Sequence, residues 1–157
     1  MDDTDDYMDI LDADLRVGKD RSDDLDKLFR LSFLGDTGVR VKVSWCVAKM
    51  AQNKVQDMRI LDILVSMRDD TDPDVRENIS WGIGEIAGFG ICDDRSAETL
   101  LVFMSDDRST IRGMAVWAVG RLRHKAGIED ARLISAAEML LDDPSPLVRK
   151  SAEFALS

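Results

Sequence analysis

His124 is the single histidine of this 157-residue chain, and Cys46 and Cys92 are its only cysteines. One imidazole cannot build a histidine-rich di-iron centre, and neither a nucleophile elbow nor a phosphate loop accompanies it. Two cysteines make no disulfide framework and fit no metal spacing. Cys46 lies in an apolar stretch that reads as core, while Cys92 stands beside Asp93 and Asp94. Negative neighbours raise a thiol's pKa and oppose its activation as a nucleophile. Asp70-x-Asp72-x-Asp74 begins like a calcium loop, but Val75 replaces the required glycine and the twelfth position holds no Glu. No metal, cofactor or catalytic residue is therefore expected. The chemistry that remains is recognition.

The residues suited to recognition recur at fixed intervals. Val39-Arg40 returns as Val75-Arg76, Ile111-Arg112 and Val148-Arg149, at spacings of 36, 36 and 37 residues. Six residues after each β-branched residue stands an aromatic, in order Trp45, Trp81, Trp117 and Phe154, so all three tryptophans share one column. Five residues before it stand Asp70, Asp106 and Asp143 in three of the four copies. Nine residues after it come the small residues Ala48, Gly84, Gly120 and Ser157. A period in this range marks stacked supersecondary units.

Each unit reads as two helices. Apolar residues at helical spacing fill Val55–Arg68, and Asp72 then caps a second helix that begins at Pro73 and ends at Gly88. Ser145-Pro146 repeats that start signal in the last copy. The other copies pair Ser22–Leu34 with Val39–Asn53, Ser96–Met104 with Ser109–Lys125, and Glu129–Leu141 with Pro146–Leu156. The first copy lacks the Asp column and carries Gly38, which predicts the least regular second helix. Tyr7, Ile10, Leu11 and Leu15 are spaced for an extra helix within an acidic N-terminal extension, residues 1–20, whose Asp2–Asp6 run reads as a frayed tail. The predicted fold is all-α, an α-solenoid of about four helix pairs over residues 21–157. Its copies span about 21–54, 55–92, 93–127 and 128–157.

The stretches Asp-Pro-Asp-Val-Arg (72–76), Ala-Val-Trp-Ala-Val-Gly-Arg-Leu (115–122) and Asp-Pro-Ser-Pro-Leu-Val-Arg (143–149) carry a family likeness. They resemble the HEAT-like repeats of phycobilisome lyases. That resemblance implies a stack of helical hairpins, and it permits a lyase or chaperone-like factor handling a bound cofactor as an alternative function.

Stepping each second helix by about 100° per residue separates two faces. Val75, Ile79, Gly82, Ile83 and Ile86 face the partner helix, where the glycines permit close backbone approach. The Trp column lies across the helix from them, on the face that lines a solenoid's inner surface. With Trp45, Trp81 and Trp117 it places Glu85, Arg121 and His124, a mixed-sign strip. These six residues are the candidate binding surface, although an indole can also serve packing between repeats. The ladder Arg40, Arg76, Arg112 and Arg149 pairs in this reading with Asp70, Asp106 and Asp143 of the same or adjacent copy.

The net charge of −10 sits largely at one end, since residues 1–20 hold eight Asp against Arg16 and Lys19. The remainder has no basic excess for phosphates, so neither nucleic acid nor a HEAT-like DNA glycosylase activity is expected. No signal peptide or membrane span is legible, which points to the cytoplasm. The expected function is a non-catalytic interaction module or adaptor with a protein or peptide partner on its inner surface. Apolar Phe154, Ala155 and Leu156 further suggest a homodimer or partner contact through the C-terminal end.

Overall fold

The computed structural model describes residues 3–157; Asp2 of the acidic run lies outside them. Among the described residues there are nine α-helices and no strand. Helix α1 (Asp3–Arg16) leads through a 3-10 turn at Ser22–Asp24 into α2 (Leu25–Leu34) and α3 (Thr37–Gln52). Then follow α4 (Met58–Ser66), α5 (Pro73–Ala87), α6 (Asp94–Phe103), α7 (Ser109–Ala126), α8 (Ala131–Leu140) and α9 (Pro146–Leu156). Each hairpin packs its own two helices together. Across hairpins, α1, α3, α5, α7 and α9 stack in sequence as an odd-helix layer, and α2, α4, α6 and α8 as an even-helix layer. The chain is an α-solenoid.

Helix starts follow the capping chemistry. The Asp72 carboxylate accepts from the amides of Asp74 and Val75, with Pro73 in the first turn, so α5 begins where sequence places it. Ser145 and Pro146 do the same for α9. Asp36 occupies the equivalent position in the first copy and accepts from the Val39 amide. That cap makes α3 a regular helix of 16 residues despite Gly38, contrary to expectation. Helix α4 starts three residues later than the apolar spacing suggests, because Lys54 adopts φ 74° and Asp57 caps the chain only afterwards. The acidic tip is likewise helical from Asp3. Asp3, Asp5 and Asp6 in its first turn complement the helix dipole, while Met8, Leu11 and Leu15 are buried against the neighbouring helices.

The core lies between the two layers. Val75, Ile79, Ile83 and Ile86 of α5 are fully buried, as are Ile111, Ala115, Val119 and Ala118 of α7. Gly82 admits Leu64 of α4, since a Cβ there would collide with that side chain. Cys46 is buried in the same core, and burial pushes its thiol up to about 12.

Two ion-pair ladders run along the stack. Arg40 Nε donates to Asp70 Oδ2 at 2.7 Å, Arg76 Nε to Asp106 Oδ2 at 2.8 Å, and Arg112 Nε to Asp143 Oδ2 at 2.8 Å. Each arginine thus takes the aspartate of the following copy. Each also donates to a carbonyl of the loop before its own helix, as Arg112 does to Asp106 and Asp107. Arg149 keeps those loop contacts, to Asp143 and Pro144, but pairs with no carboxylate among the described residues. On the even helices Arg59 bridges Asp57 and Asp26, and Arg95 bridges Asp93 and Asp62. The repeated Asp-x-Arg at 57–59 and 93–95 is the sequence signal for this second ladder, and at 130–132 Arg132 pairs within its own motif, with Asp130.

Candidate interaction surface on the odd-helix layer

The Trp column divides into a covered part and an open part. Trp45 on α3 is half-buried, with the Arg16 guanidinium of α1 4.5 Å from its ring centroid. Its other neighbour is Trp81, 6.5 Å away between centroids. Helix α1 therefore covers the first tryptophan. Further contacts hold it there: Lys42 Nζ donates to Asp9 at 3.1 Å, and Asn53 Nδ2 to the Leu15 carbonyl at 2.9 Å.

Trp117 lies over the missing side chain of Gly84 on the preceding odd helix. Phe154 lies over Gly120 in the same way. Gly84 and Gly120 of the small-residue column thus accept the aromatic of the next copy, an addition to the backbone approach anticipated for them. Both rings keep exposed area, since Trp117 is half-buried and Phe154 is 39% exposed.

The charged residues of the strip separate in space. Glu85 Oε1 accepts from the Trp81 indole Nε1–H at 3.3 Å, one helical turn apart. Arg121 folds back toward the preceding helix and donates from Nε to the Gly84 carbonyl at 3.1 Å. That carbonyl lies in the last turn of α5, where intrahelical partners run out and a cation is favourable. His124 turns the other way, with Nε2 3.0 Å from the Phe154 carbonyl and its ring 5.2 Å from the phenyl. Arg123, beside it, donates to the Ala155 carbonyl. Arg121 and His124 thus tie α7 to its two neighbours.

Trp81, Glu85 and Trp117 remain together in a groove of about 390 Å³ running over α5, α7 and α9. Glu77, Thr110, Gly113, Met114, Leu147 and Ser151 complete its walls. Trp45, Arg121 and His124 do not line it. The added residues occupy the −1, +2 and +3 columns of successive copies, Thr110 with Leu147, Glu77 with Gly113 and Met114 with Ser151. Those columns were legible in the repeat but carry no conspicuous residue type. Leu147 is 61% exposed at the rim. The groove presents aromatic and aliphatic surface with two carboxylates, a composition suited to binding.

Among the described residues no helix is long and apolar enough to cross a membrane. No curated protein matches the sequence. Among solved structures, a designed armadillo repeat protein in complex with the peptide (KR)4 superposes with a TM-score of 0.66 at 22% identity. The match covers 84% of this chain and 62% of that one. An engineered protein superposes with a TM-score of 0.63 at 18% identity, over 84% of this chain and 60% of its own length. The chain therefore spans less than two thirds of either neighbour, and at these identities the likeness is one of fold. A family profile of HEAT repeats matches residues 60–157, which include three of the four copies and both intact Asp–Arg steps between them. The chain belongs to the HEAT-repeat family.

Proposed function

We propose that the protein is a non-catalytic interaction module, an adaptor of the cytoplasm, that holds an extended segment of a partner protein against its odd-helix layer. The observation that carries this reading is the groove over α5, α7 and α9, with Trp81, Met114, Trp117 and Leu147 supplying apolar surface and no segment of the described residues lying in it. Large aromatic side chains on a rigid helical platform lose little conformational entropy on binding and commonly anchor interfaces. The peptide held by the designed armadillo neighbour supports the same use of a helical stack. Two free cysteines, Cys46 and Cys92, suit a reducing compartment.

Selection of displayed dodecapeptides on the protein tests this reading, with Leu147→Arg and Met114→Arg as counter-targets. Both substitutions place a long charged side chain in the groove walls. Peptides that bind the native chain and lose binding to both variants, while the variants melt normally, are expected. Selected peptides indifferent to both substitutions would refute it.

A further inference from the structure

We infer that the groove over α5, α7 and α9 takes a cationic side chain, Lys or Arg, from the bound segment. The inference rests on the reading of that groove as a segment-binding surface. Glu77, Trp81 and Glu85 lie at successive i, i+4 positions of α5 and form one stripe along the groove wall. Both carboxylates are half-buried. Neither pairs with a cation among the described residues, whereas Asp70, Asp106 and Asp143 are each held by an arginine. Glu85 is oriented by the Trp81 indole N–H, which fixes a negative group beside an aromatic ring.

Three basic residues on the same layer are held by partners of their own. Arg121 is anchored on the Gly84 carbonyl, Lys42 on Asp9 and Lys49 on the Gln52 side chain. Arg121 does lie 5.8 Å from the Trp117 centroid, so Trp81 with its two glutamates is the freer platform. The chain itself shows the corresponding interaction one step earlier in the stack. There Arg16, carried in by α1, rests 4.5 Å from the Trp45 centroid. A cation over an indole face, flanked by carboxylates, gains from both the ring quadrupole and Coulomb attraction. Among the described residues no cation lies over Trp81 in the way that Arg16 lies over Trp45.

The test uses three fluorescein-labelled octapeptides with blocked ends, of alternating Lys and Arg, of Gly and Ser, and of Glu and Ser. Anisotropy is read for the native chain, for Glu77→Gln/Glu85→Gln, and for Asp3→Asn/Asp6→Asn. The last variant removes the same charge from the exposed start of α1. The expected result is preference for the Lys-Arg peptide, lost by about tenfold in the glutamate variant and retained in the aspartate variant. No binding of the Lys-Arg peptide, or equal loss in both variants, overturns the inference. Displayed peptides that depend on Leu147 yet show no Lys or Arg enrichment would overturn it too, while leaving the segment-binding reading intact. Displayed peptides indifferent to Leu147 would instead remove that reading.

Discussion

The indole of Trp117 occupies the space that a side chain at Gly84 would fill. Two residues 33 apart in sequence thereby lock adjacent copies together, and Phe154 over Gly120 repeats the lock one step on. Ordinary helix propensity favours Gly84→Ala by about 1 kcal/mol. The ring contact opposes it, because overpacking a fitted site costs about 1–3 kcal/mol. Gly84→Ala is expected to lower stability in urea titration despite its better propensity. In combination with Trp117→Ala the two losses should fall short of additive.

The Asp–Arg ladder predicts unequal arginines. Arg112 makes a two-point contact with Asp143, through Nε at 2.8 Å and Nη2 at 3.0 Å, and the Asp143 side chain is only 6% exposed. Arg112→Met strands that carboxylate and should cost on the order of 3 kcal/mol. Arg149→Met removes only loop-carbonyl contacts and should cost about 1 kcal/mol. Equal losses in chemical denaturation would contradict the ladder's role.

The same ladder sets a response to acid. The Arg112 guanidinium holds the Asp143 carboxyl below the usual carboxylate range. At Asp70 and Asp106 burial pushes upward, but the arginine and a backbone amide pull both carboxyls below that range as well. An unfolded Asp titrates near about 3.9. The folded state therefore binds fewer protons there, so this stability is present above that pH and is lost as pH falls through the lower folded values. The melting temperature should drop steeply below about pH 4. Asp143→Asn should flatten the drop.

The thiols should be silent in the native protein. Burial pushes Cys46 up to about 12, and burial with the Asp93 charge raises Cys92. Labelling with a disulfide reagent near neutral pH should proceed slowly, Cys92 before Cys46. Cys46 should react fully only after denaturant is added.

Arg121 and Glu85 are expected to part company in mutagenesis. Arg121→Glu puts a carboxylate against the Gly84 carbonyl in the last turn of α5, where negative charge is unfavourable. It should lower the melting temperature. Glu85→Gln retains an acceptor for the Trp81 indole and should leave the melting temperature unchanged.

The sequence by itself determined the repeat, the two-helix unit and the face each column presents. These follow from local rules. A Pro after a capping Asp starts α5, a 3.6-residue period assigns Ile79 and Ile83 to the core, and the Trp column falls opposite them. Tertiary structure decided everything that depends on which copy a side chain reaches. Arg40 takes Asp70 across a separation of 30 residues, and Arg121 reaches back to Gly84 while His124 reaches forward to Phe154. Arg121 and His124, on one stripe of α7, therefore reach opposite neighbours. Helical periodicity gives a direction about a helix axis, but the stagger between stacked helices decides what lies in that direction. That stagger arises from packing, above all from aromatic rings seated over Gly84 and Gly120. It also withdraws Arg121 from the groove and leaves Glu77 and Glu85 in its walls, turning a strip of mixed sign into an acidic one.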